Sequence, residues 1–101
     1  MTHVKVTLSC PTMLGEQVAE YLLTSEWLEA GFTTFAAQGH GHDFSQASLR
    51  EKVRGQMEVL NIVALLPAAH VAPFLEALRT RFRDPQMTYW TQAVQAHGDF
   101  A

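Results

Sequence analysis

The chain has 101 residues, of which 48% are hydrophobic, 17% charged and 10% aromatic. That is the length of one domain, enough to bury a core without disulfides or a structural metal. Seven Lys+Arg against ten Asp+Glu give a net charge of -3, so no global electrostatic attraction to nucleic acid or an anionic membrane is expected. Cys10, the single cysteine, excludes an internal disulfide framework and any CxxC motif. No signal-peptide pattern is read in the opening residues, and no apolar run approaches the length of a membrane span. A cytoplasmic protein is expected, with no direct membrane insertion.

Residues 4–10 alternate strictly. Val4, Val6, Leu8 and Cys10 share one side and Lys5, Thr7 and Ser9 the other, which predicts a strand with one buried face. Pro11 ends it and can begin a helix, where its missing N–H costs nothing. Leu14, Val18, Tyr21 and Leu22 then form a helical stripe, and Gly31 closes the connection. Phe32, Thr33, Thr34 and Phe35 predict a second strand over 32–37, and Gly39-His40-Gly41-His42-Asp43 reads as a turn.

The stretch 44–55 is polar, a long connection of a kind that is often functional. Residues 57–66 are apolar on both sides apart from Glu58 and Asn61, as expected of a central strand. Val71, Phe74, Leu75, Leu78 and Phe82 predict a second amphipathic helix, with Pro73 placed near its first turn. Residues 87–94 predict a fourth strand, and 95–101 a loose polar tail.

The order β-α-β-β-α-β specifies a ferredoxin-like α+β sandwich, a four-stranded antiparallel sheet with two helices on one face. Right-handed crossovers put the first and third strands in the centre. The sheet's other face then lacks a covering layer, although the third strand is apolar on both sides and the fourth offers apolar or aromatic residues to each face, Trp90 and Val94 to one and Met87 and Tyr89 to the other. An oligomer is expected.

Among chemical motifs, His40 and His42 could share one face of an extended segment and bind one ion, with Asp43 adding an oxygen. The alternative is a polar turn whose glycines serve backbone geometry. His3, His70 and His97 are scattered and read as surface residues. Cys10 reads as a small buried hydrophobe rather than a nucleophile. Arg50, Lys52 and Arg54 cluster around Glu51 and could hold an anion or a partner protein, or form a solvated loop. An RNA-recognition platform is set aside, because its aromatic residues are missing from the first and third strands. No nucleophile–base pair or paired carboxylates appear, so an enzyme is not expected.

Several stretches together carry a resemblance. They are the Cys10-Pro11 strand end, Gly31-Phe32-Thr33-Thr34-Phe35, Gly39-His40-Gly41-His42, the run from Ser48 to Gln56, and Tyr89-Trp90. The chain resembles the PII-like signalling proteins over nearly its whole length. More narrowly, it is similar to a small bacterial family of unknown function encoded beside RND-type heavy-metal efflux pumps. The resemblance implies a homotrimer whose 42–55 connection acts as a T-loop, changing conformation when ligand binds between subunits. It implies a regulatory protein sensing a metal ion or small effector, with a heavy-metal efflux pump component or its regulator as partner.

The phosphate-gripping glycine and lysine stretch of PII proteins is absent, since Arg83-Asp84-Pro85 stands in its place. A divalent ion (Zn²⁺, Cu²⁺, Ni²⁺ or Co²⁺) at His40, His42 and Asp43 is therefore placed ahead of a nucleotide. Gly39, Gly41, Arg50 and Arg54 are the candidates for a small effector. The rival expectations are a nucleotide-binding regulator using intersubunit clefts and a ligand-free trimeric scaffold.

Overall fold

The computed structural model describes residues 2–28, 30–41 and 56–101. Its elements run β1 (His3–Pro11), α1 (Thr12–Thr24), β2 (Thr33–His40), β3 (Gln56–Pro67), α2 (Ala68–Arg81) and β4 (Thr88–Val94). The sheet is antiparallel throughout, in the order β2-β3-β1-β4. The two longest strands take the centre, as right-handed crossovers require. This is the expected α+β arrangement, consistent with a ferredoxin-like fold.

Strand alternation divides the sheet into two unlike faces. Val6, Leu8 and Cys10 of β1 lie across from Ala64, Ile62 and Leu60 of β3, and all but the half-buried Leu60 have 6% exposure or less. Both helices close over this face. Val18 and Leu22 of α1 and Phe74 and Leu78 of α2 complete the core, with Leu66 beneath them. Gly15, on the buried side of α1, faces Leu60 directly. The stripes at i, i+3/i+4 are thus the surfaces that pack.

Four local details stand out. Pro11 is the last residue of β1 and caps the helix rather than beginning it, with φ -50° and ψ 143°. The first helix stops at Thr24, where the hydroxyls of Thr24 and Ser25 donate to the carbonyls of Tyr21 and Leu22. Those bonds occupy C-terminal carbonyls that further helix would need. Pro73 lies inside α2 beyond its first turn, and the Ala69 carbonyl it leaves unpaired belongs to an exposed residue that water can serve.

The fourth is Gly39-His40, which continues β2 instead of making the expected turn. Across the ladder, Gly39 pairs with Met57 and His40 with Gln56, and those backbone partners override local turn composition.

The second face carries no helix. From β4 to β2, one row reads Trp90, Thr7, Val63, Thr33; the next reads Thr88, Ser9, Asn61, Phe35. Trp90, Phe35 and Leu65 on this face remain 46%, 48% and 37% exposed. Thr7, flanked by Trp90 and Val63, is buried. The amide oxygen of Asn61 is also buried, and it has no hydrogen-bond partner among the described residues.

Candidate functional site

β2 and β3 set a concavity through their unequal lengths. The last β2 residue to pair, Thr33, sits opposite Val63, whereas β3 continues to Pro67 along β1. The β2 side of residues 64–67 therefore has no strand partner among the described residues. Chain entering β2 swings away at this point, turned by Gly31 at φ 98°, a left-handed value that glycine adopts without strain. Its N–H donates to the Leu28 carbonyl at 2.9 Å and closes the turn.

The result is a cleft of about 1080 Å³ between the free edge of β3 and the α1–β2 connection. Trp27, Leu28 and Phe32 form an apolar wall, and His3 and Lys5 of β1, Glu26, His70 and His97 supply its polar groups. The ring of Trp27 stands edge-on to His70 and to Phe74, with centroids 6.2 Å and 6.3 Å away, which fixes the wall to α2. Because His3, Lys5, Val63 and Leu65 occupy the helix-free side of their strands, the cleft opens onto the uncovered sheet face.

His3, His70 and His97, scattered along the sequence, all border this cleft, and His70 and His97 are exposed, in keeping with their reading as surface residues. They come from β1, the first turn of α2 and the tail, and the fold brings all three to one cleft. His3 and His97 are in direct ring contact, with centroids 4.5 Å apart. The signal in the sequence was faint, because it depended on β1 and β4 being neighbours in a particular register.

The expected loop site is only partly described. His40 ends β2 as an exposed residue, Gly39 lies beside Met57 and Val59, and Gly41 follows the strand. His42, Asp43, Arg50 and Arg54 lie outside the described residues, as does the whole 42–55 connection. Among the described residues no group of three or more His, Cys, Asp or Glu stands close enough to hold a metal ion. Among them, too, no helix is long and apolar enough to cross a membrane.

Cys10 is fully buried, in keeping with its place in the alternation. Burial raises its thiol pKa to about 11, and the negative charge of Asp84 adds to the effect. The nucleophilic thiolate is correspondingly scarce. An aromatic disulfide reagent is expected to leave Cys10 unmodified in native protein and to react fully in denaturant; rapid native labelling would contradict this burial. The sign for stability follows from linkage. The folded thiol holds its proton more tightly than the unfolded one at 9.0, so this contribution is intact below pH 9 and is lost as pH rises toward 11.

A smaller groove of about 210 Å³ lies between α2 and β4, bounded by Leu75, Leu78, Phe82 and Tyr89 with Arg79 and Asp84 at its rim.

Residues 1–101 match the model of a family described as "Protein of unknown function (DUF3240)". A search of curated proteins finds no match. Among solved structures, the crystal structure of a DUF3240 family protein from Shewanella baltica OS155 is similar, with a TM-score of 0.77 at 20% identity. The alignment covers 100% of this chain and 99% of that one, and at that identity it speaks for the fold.

Proposed function

The chain belongs to the DUF3240 family of proteins of unknown function, and within it we propose a non-enzymatic regulatory protein that assembles as a homotrimer and binds a small effector or metal ion. The observation that carries the reading is the position of the cleft. It opens on the uncovered sheet face, where Trp90, Phe35 and Leu65 remain exposed. A ligand there would touch two copies at once, so binding and subunit arrangement would be coupled.

The PII-like resemblance supplies the trimer and the signalling role of the 42–55 connection, with a heavy-metal efflux component or its regulator as the docking partner. Two effector classes fit. An anionic molecule with a flat ring suits the cleft, where Trp27 and Phe32 offer apolar surface and Lys5 a positive charge. This is the nucleotide-binding reading, and the cleft's size favours it. A divalent ion at His40, His42 and Asp43 is the other, and it rests on the spacing of those residues.

Isothermal titration calorimetry of metal-free protein separates them, using ATP, ADP and AMP and then Zn²⁺, Cu²⁺, Ni²⁺ and Co²⁺. Saturable nucleotide heat that falls at least about tenfold in affinity in Trp27→Ala or Lys5→Ala, the loss of about 1.4 kcal/mol, establishes the cleft. Metal heat lost in His40→Ala or His42→Ala establishes the connection. Silence from every ligand overturns effector binding and leaves the scaffold.

A further inference from the structure

His3 opens β1, and His97 lies in the tail beyond the end of β4. Register brings them together. His3 pairs with Val94, the last residue of β4, so the chain leaving that strand passes beside His3. The two ring centroids are 4.5 Å apart and their planes are inclined at 46°. His3 is half-buried and His97 exposed, and both border the cleft.

A neutral imidazole has one unprotonated ring nitrogen, able to bind a metal. A tetrahedral ion holds such nitrogens at about 2.0–2.1 Å, which places two ring centroids on one ion about 5 Å apart. The observed separation differs from that by only about half an ångström. We infer that His3 and His97 form a two-imidazole site for a divalent transition-metal ion. A nitrogen donor pair of this kind selects Zn²⁺, Cu²⁺ or Ni²⁺ over Mg²⁺ or Ca²⁺, which take oxygen.

No third donor from the described residues is assembled around the pair, so water or a group entering the cleft fills the remaining positions. Glu26 and His70 border the same space. An ion held here ties the tail to β1 and closes one side of the cleft. The site rests on the ring contact and stands apart from the effector reading above.

The test is a Zn²⁺ titration of the untagged, metal-free full chain, followed by calorimetry and by imidazole ¹H–¹⁵N NMR. The expected result is saturation at one ion per chain, with the ring resonances of His3 and His97 shifting together. His3→Ala and His97→Ala should each weaken binding by roughly 100-fold or more, since loss of even an outer-shell partner costs 10–100-fold. His40→Ala should leave it unchanged, which separates this site from the connection. His97 lies outside every helix and strand, so its variant keeps the fold, and an unchanged thermal midpoint verifies that. Absence of saturable uptake, or uptake unaffected by His97→Ala, overturns the site.

Discussion

Phe74→Ala is expected to lower the unfolding free energy by about 3–5 kcal/mol, the range for removing a buried aromatic ring and leaving a cavity. Phe74 is 1% exposed and is among the largest fully buried side chains described. It belongs to the same core cluster as Leu22, Ile62 and Leu66. It also fixes the cleft wall, because the Trp27 ring meets it edge-on. Domains of this size have about 5–15 kcal/mol in total, so the variant should sit near the margin of folding. Urea unfolding followed by tryptophan fluorescence measures the loss. Met13→Ala, 78% exposed on α1, is the control and should change stability by less than about 0.5 kcal/mol. A Phe74→Ala loss no greater than the control's would contradict the packing of α2 on the sheet.

Gly15→Val is the second large effect, expected at about 3 kcal/mol. In an exposed helix interior, replacing glycine by alanine gains about 1 kcal/mol. Here that gain is reversed by contact. A β-carbon at Gly15 would lie 2.7 Å from the β-carbon of Leu60 and 3.1 Å from its Cδ2. The nearest atom is the root of the Leu60 side chain, on the central strand β3, so no end-rotation relieves the clash. Either α1 lifts or β3 bends, and both open the core around Val18 and Leu22. Gly15→Ala should destabilise less than Gly15→Val. A stabilised Gly15→Ala protein would show that the helix does not approach the sheet this closely.

What could be read from the chain follows from how local each signal is. Val4, Val6, Leu8 and Cys10 announce β1 because alternation needs no partner to be seen. The stripe through Phe74 and Leu78 does the same for α2. Gly39-His40 was misleading because its strand pairing comes from Gln56 and Met57, beyond the intervening connection. Gly15 gave no sign of its role, since a tight helix–sheet approach depends on which residue faces it. His3 and His97 stand near opposite ends of the chain, and only the β1–β4 register joins them. The Gly-His-Gly-His run was the visible motif, yet of its candidate ligands only His40 falls within the described residues.

Sedimentation equilibrium at micromolar protein tests the central claim, that the helix-free face of the sheet is covered by further copies of the chain. The expected mass is three times the 11.3 kDa of the chain. Leu65→Glu, which puts a charge on that face, is expected to shift the mass toward a single chain without loss of helical signal. A wild-type mass of one chain across the concentration range would contradict it.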